Sequence, residues 1–384
     1  MGELSMRKYV YMAIVLAICI WGINTVTIKA SDLNKNEEYM SIDDFEINDS
    51  IKTLEKNGYR DLNFRHILDE IMSGNVLDVI KECSNVVYQK TVGDFTMVEK
   101  ALGNLLLIVI LSAFFTNFAN VFSNDGISST GFYICYLIVT TMLMTLFENF
   151  CLIATDFVRL LLEFLCGIVP AYFLSVAITG QVAAAGFYQL TLVIISVAQF
   201  IFLRVLVPMI KVYVTINLIN NISKEDFLSK TSDLLKNAIA FINKTVVGIV
   251  VGLNIIQALI LPAVDGVKNN AIRKVVGALP VVGDGSDAVC GILLGSVNLI
   301  KNTIGGFAII VIIMLCGVPF IKIQLYSISM QIAQAVVQPV ADKRMINSIS
   351  CVVMGIKMLA KVIIGASMLF IISIAIICIV TGKE

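Results

Sequence analysis

TIGGFAIIVIIMLCGVPFIKI, residues Thr303–Ile323, carries a single charge, Lys322, close to its end. As an α-helix rising about 1.5 Å per residue, such a run covers the roughly 30 Å hydrocarbon core of a bilayer, which takes about 20 apolar residues. Strand-length alternation of the barrel type is absent, so a helix is what can satisfy its backbone in lipid. Working outward, the same reading applies to Leu359–Val380 and Ala238–Val264, then to Phe187–Val207, Phe157–Ile178, Phe132–Thr155 and Leu102–Phe122. Turn signals at Ser123-Asn124-Asp125-Gly126 and Thr179-Gly180-Gln181 separate the early windows. The pattern predicts an all-α, polytopic helical membrane domain over 101–384, with six or seven spans.

Composition agrees. Of 384 residues, 58% are hydrophobic and 15% charged, and the mean hydropathy is +0.89. A soluble globule carries about 25% charge. The 28 basic and 28 acidic residues cancel, so no charge excess suggests a nucleic-acid partner. Nine cysteines without paired spacing make a disulfide scaffold a poor reading.

The neutral total hides a division. Ser31–Lys100 holds 15 acidic and 8 basic residues, while Ala101–Glu384 holds 12 acidic and 17 basic. Before both lies Arg7-Lys8, the uncharged apolar stretch Tyr9–Gly22 and a more polar tail to Ala30. That order reads as an export signal over 1–30, cleaved after Ala30 or retained as an anchor. Either way Ser31 onward is delivered outside the cytoplasm, which makes 31–100 a small exported helical segment. Within it, Phe64, Ile67, Leu68 and Ile71, then Val76, Leu77, Val79, Ile80 and Val87, recur at helical spacing around a Gly74-Asn75 turn. So short a unit makes a poor core alone and is expected to pack on the membrane domain or on a partner.

Three stretches do not read as simple spans. Asn221–Lys244 is charged and amphipathic, with Ser223 and Asp226 as a capping box, and predicts a helix lying at the interface. Asp265–Lys301 is glycine-rich and interrupted by Pro280. Ile323–Asn347 is amphipathic, with Pro339 and the cluster Asp342-Lys343-Arg344. Counting positive charge across alternating spans places Lys268, Arg273 and Lys274 inside as preferred, but Lys224–Lys236 outside, so topology stays open.

Catalytic chemistry finds little support. The single histidine, His66, lies in the exported segment, which removes histidine metal sites and Ser-His or Cys-His pairs from the membrane domain. Neither a phosphate-binding GxxxxGK[ST] loop nor a GxSxG elbow occurs. Val281-Val282-Gly283-Asp284 resembles the GxGD of intramembrane aspartyl proteases only by a short coincidence, because Val281 stands where glycine is needed. No cofactor and no metal are implied.

Charges inside apolar windows are costly and by default mark function. Asp156, Arg159 and Glu163 are spaced to pair along one helix face, whereas Glu148 has no local partner and predicts an interhelical or pore contact. Lys357 and Lys361 read as snorkelling cations. Gly248-x-x-x-Gly252 and Gly291-x-x-x-Gly295 would allow close helix approach. The run Gly277–Gly306 holds seven glycines with Pro280, Asp284, Asp287 and Lys301, and predicts a broken helix lining a path or docking surface. Candidate pore or interaction residues are therefore Glu148, Asp265, Pro280, Gly283, Asp284, Asp287, Lys301, Asn302 and Gly305.

Several of these stretches resemble the stage III sporulation protein AE family of endospore-forming bacteria. The resemblance is carried by Ala263-Val264-Asp265-Gly266-Val267, Ala271-Ile272-Arg273-Lys274-Val275-Val276 and Leu279-Pro280-Val281-Val282-Gly283. Asp287-Ala288-Val289, Leu299-Ile300-Lys301-Asn302-Thr303-Ile304-Gly305, Val318-Pro319-Phe320-Ile321-Lys322-Ile323 and Gln338-Pro339-Val340 follow it, as does the earlier Val169-Pro170 with Ala177-Ile178-Thr179-Gly180. It implies a non-enzymatic membrane subunit of the channel or feeding assembly linking mother cell and engulfed forespore, needed for late forespore gene expression. The implied location is the mother-cell-derived membrane around the forespore, with 31–100 extracytoplasmic. The implied partners are the other stage III A operon membrane proteins, the forespore-side stage II Q protein and membrane lipid. The residues alone leave open a stand-alone secondary transporter of a small solute using Glu148 or Asp284, and a structural anchor that recruits partners.

Overall fold

The computed structural model describes the backbone of residues 48–57, 59, 64–73, 75–93, 103, 106–107, 109–110, 125–178, 182–222, 227–276 and 284–381. Within these, the side chains of 48–50, 76, 92–93, 125–129, 169, 171, 173–178, 182–189, 258, 261–276, 284–301 and 377–381 are outside the description. The signal region, most of the window Leu102–Phe122 and the capping box at Ser223 and Asp226 lie outside the described residues.

Every described element is helical. Three short helices come first: α1 (Asn48–Lys56), α2 (Phe64–Met72) and α3 (Val76–Gly93). Then follow α4 (Asp125–Ile178), α5 (Val182–Ile201), a π-helical turn (Phe202–Leu206) and α6 (Val207–Asn220). The bundle closes with α7 (Ser229–Val276), α8 (Asp284–Val337) and α9 (Lys343–Thr381). Among the described residues, five stretches are long and apolar enough to cross a membrane: Thr130–Ile168, Leu190–Asn220, Ser229–Gln257, Asn302–Val337 and Lys343–Ile376. The protein is an all-α polytopic membrane protein.

Several boundaries differ from the sequence reading. The windows Phe132–Thr155 and Phe157–Ile178 are one helix, α4, because nothing between them breaks a helix and Asp156, Arg159 and Glu163 stand on its exposed face. The amphipathic stretch before Lys244 is likewise no separate interfacial helix. From Ser229 it runs unbroken into Ala238–Val264 as α7, because no glycine or proline intervenes before Gly248. The broken helix expected over Gly277–Gly306 is continuous from Asp284 onward, through Gly285, Gly291, Gly295, Gly305 and Gly306. Interior glycine costs about 1 kcal/mol, which the flanking helix-favouring apolar runs offset. Pro280 and Gly283 fall between α7 and α8, outside the described residues.

Two prolines explain local geometry that the windows missed. Pro208 opens α6 directly after the π-helical turn. Proline lacks the amide hydrogen and crowds the carbonyl one turn back, and a widened turn relieves both. Pro339 sits in the turn between α8 and α9, which Asp342 then caps by accepting from the Arg344 backbone N–H at 2.8 Å.

A single apolar core joins all of this. Leu54, Phe64, Ile67, Leu68, Val79 and Cys83 of α1–α3 are buried in the same cluster as Phe164, Phe307 and Val311. Phe64 meets Phe307 edge-on at 6.4 Å, and Phe164 lies 6.4 Å from the same ring. α1 packs on α4, while α2 and α3 pack on α8. Gly306 and Gly317 of α8 face Ile71 and Val87. Burial pushes the Tyr59 phenol up to about 12, and burial with Glu82 beside it pushes the Cys83 thiol up to about 11. The Lys90 ammonium lies 3.7 Å above the Tyr59 ring.

Candidate functional site

Glu148 projects from the middle of α4 and accepts from Lys211 Nζ of α6 at 2.6 Å. The pair is an interhelical contact, the arrangement expected of a carboxylate with no partner on its own helix. Its side chains are 46% (Glu148) and 35% (Lys211) exposed, so it lies on the flank of the bundle. Asp156, Arg159 and Glu163 are exposed, and no ion pair joins them among the described residues. The pairing along α4 that their spacing allowed does not form.

The glycine-rich candidates stand elsewhere. Asn302 is half-buried and Gly305 buried near the entry of Phe307 into the core. Phe150, next to Glu148, instead stacks edge-on against Tyr326 at 4.7 Å. Tyr326 is 21 residues further along α8 than Gly305, on the order of 30 Å at a helical rise. Glu148 and the glycine segment are therefore two places, not one site. Asp265 lies in α7, and Asp284, Asp287 and Lys301 lie in the N-terminal part of α8, with side chains outside the description. Pro280 and Gly283 are outside the described residues altogether.

The small-residue pattern also shifts. A Cβ at Gly248 or Gly252 would meet nothing within 4 Å, so no described helix approaches there. The close approach is at Gly355 and Gly365 of α9. A Cβ at Gly355 would collide with Val214 and Phe147, and one at Gly365 would lie 3.2 Å from Asn243 Oδ1. Neither glycine belongs to a GxxxG pair with a partner four residues away, which hid both from a motif reading.

Sequence reasoning weighed charges and passed over neutral polar residues inside the apolar windows. Two groups of them are buried. At the α8–α9 end, the Tyr136 hydroxyl donates to the Leu218 carbonyl at 2.7 Å and lies 2.8 Å from Ser348 Oγ, tying α4, α6 and α9. Between α5, α7 and α9, Thr191 Oγ1 donates to Gln257 Oε1 at 2.6 Å and Asn254 Nδ2 to Ser373 Oγ at 2.7 Å. Gln199 of α5 is fully buried with neither its oxygen nor its nitrogen bonded, and Asn243 Oδ1 of α7 is also unbonded. His66 is exposed, with Nδ1 3.8 Å from Glu70.

A family profile described as Stage III sporulation protein AE matches residues 62–381. The chain belongs to that family. The match begins two residues before α2 and ends at the last residue of α9, so it takes in the α2–α3 hairpin together with the bundle. The Stage III sporulation protein AE of Bacillus subtilis (strain 168) is 21% identical over 284 residues, 72% of this chain and 70% of that protein. No solved structure matches the chain. Membership in the stage III sporulation protein AE family gives the chain a sporulation role in a membrane protein of several passes.

Proposed function

We propose that the chain is an integral, non-enzymatic subunit of the channel or feeding assembly that joins mother cell and engulfed forespore. It acts in the mother-cell-derived membrane around the forespore and supports late forespore gene expression. The observation that carries this reading is the family match over 62–381, which spans hairpin and bundle as one unit. In the reading, residues 1–30 direct export, 31–100 face the space between the membranes and 101–384 form the membrane domain. The charged outer faces of α2 and α3, with Arg65, Asp78 and Lys81 exposed, suit protein partners in water. Those partners are the other stage III A operon membrane proteins and the forespore-side stage II Q protein.

A stand-alone secondary transporter is less well supported, because Glu148 is engaged by Lys211 and so is not a free coupling carboxylate. The test is a deletion strain followed through sporulation. Loss of late forespore expression after engulfment supports the proposal; normal spores with normal late expression would refute it.

A further inference from the structure

α7 and α9 run side by side in the same direction, and their contacts fix the register. Asn254 Nδ2 donates to Ser373 Oγ, and a Cβ at Gly365 would lie against Asn243 and Val247. A residue of α7 is thus level with the one about 120 positions on in α9. Lys236 stands level with Lys357, and Lys244 within a turn of Lys361. The four also share a side. Lys236 lies two turns before Asn243, on the edge of α7 that meets α9, and Lys244 follows Asn243 directly. Lys361 and Lys357 lie one and two turns before Gly365, beside the edge of α9 that meets α7. On the other flank, Lys357 Nζ donates to Gln331 Oε1 of α8 at 3.4 Å. Four exposed ammonium groups thus gather over about two turns of one outer face, with α9 in the middle.

Few carboxylates answer them. From Ile323 to Thr381 the sequence holds only Asp342, which Arg344 engages at 3.2 Å. From Ser229 to Val264 it holds only Asp233, one turn before Lys236. Like charges so close repel, the more so beside a low-dielectric medium, and a bound anion relieves them. The rest of the face selects the anion. Beyond Lys244 and Lys361 both helices are free of charge over Thr245–Val264 and Val362–Thr381, about 20 residues each and on the order of 30 Å, the depth of one hydrocarbon core. The lysines therefore stand at one edge of that core, where long cationic side chains reach from apolar surroundings to the headgroups. Past them the same face turns apolar, with Val247, Val251 and Ile255 of α7 and Ile364, Met368 and Ile372 of α9 partly or fully exposed. Positive charge at one end of an apolar track suits an amphiphile and not a free ion. We propose that this face binds an anionic phospholipid. Its headgroup phosphate rests on Lys236, Lys244, Lys357 and Lys361, and its acyl chains follow α7 and α9 beyond them. The proposal rests on the membrane-spanning reading of these helices and not on a sporulation role.

The test uses the full chain in neutral detergent micelles, with native mass spectrometry counting bound lipid. The probes are dioleoyl phosphatidylglycerol and dioleoyl phosphatidylcholine, which share acyl chains and differ in net charge. A lysine near an anionic lipid surface strengthens binding about fivefold. The unaltered chain should therefore hold phosphatidylglycerol at least about tenfold more tightly than phosphatidylcholine. Equal affinities overturn the proposal without any variant. Lys357→Gln with Lys361→Gln should lower the ratio about tenfold or more, and Lys357→Arg with Lys361→Arg should keep it. Lys52→Gln with Lys81→Gln removes the same charge from the hairpin and should leave the ratio alone. A ratio that survives the first pair, or falls equally with the hairpin pair, overturns the assignment to this face. Inorganic phosphate and an oligoglutamate peptide serve as competitors. Lacking acyl chains, each should displace phosphatidylglycerol only at tenfold or more above the lipid concentration. Displacement at matched concentration overturns the lipid and gives the face to a soluble anion or to an acidic protein segment.

Discussion

At the residue scale, Glu148 and Lys211 form a pair within two of the apolar stretches, where breaking it leaves a lone charge that lipid disfavours. Lys211→Ala is expected to lower the thermal midpoint of the purified protein, and the exchange Glu148→Lys with Lys211→Glu to recover it. Failure of the exchange would show that packing, not charge, holds these side chains. Gly355 gives a steric effect. With Val214 and Phe147 against it, Gly355→Ala forces a shift costing about 1–3 kcal/mol. Gly248→Ala, with nothing within 4 Å, should instead be neutral or stabilise by up to about 1 kcal/mol. The two midpoints should thus move in opposite directions. Tyr59 makes a prediction in pH. Its folded value of about 12 lies above the ordinary 10, so the unfolded chain loses its proton first as pH rises. Stability contributed by the neutral phenol is complete below pH 10 and drains away between 10 and 12. Tyr59→Phe should remove that part of the alkaline loss, followed by proteolytic release of the α2–α3 hairpin.

At the element scale, Phe64 docks the hairpin edge-on against Phe307, whose ring also meets Phe164. Phe64→Ala is expected to cost about 3–5 kcal/mol of its docking. Limited proteolysis should then cut within 48–93 while leaving the long helices whole; an unchanged cleavage pattern would show that α1 and α3 suffice. Helix identity was legible here because it follows from spacing. Phe64, Ile67, Leu68 and Ile71 recur at one face, and all but Ile71, which is half-buried against α8, are fully buried. The start of α9 is written in Asp342, its cap, although the apolar window for that span begins only at Leu359. Helix continuity was not legible at Asp156–Glu163, because a charge on an exposed face looks the same in sequence whether a helix ends there or continues. The π-helical turn is written in Pro208 alone, one residue past the window drawn for that span.

At the scale of the whole molecule, the fold class followed from hydropathy because lipid admits few alternatives. The candidate site did not follow in the same way. Charge and glycine patterns drew attention to Asp284, Lys301 and their neighbours, yet nothing in one sequence says which helices share a level. The polar seam depends on α5, α7 and α9 meeting, a long-range arrangement that single neutral residues such as Asn254 do not advertise. Helix length carries a further consequence. α4 and α8 have 54 residues each, on the order of 80 Å of rod, against a hydrocarbon core of about 30 Å. Even a tilt of about 40°, the steep end for such helices, leaves roughly twice the thickness that lipid can cover. Much of the bundle must therefore stand clear of the membrane.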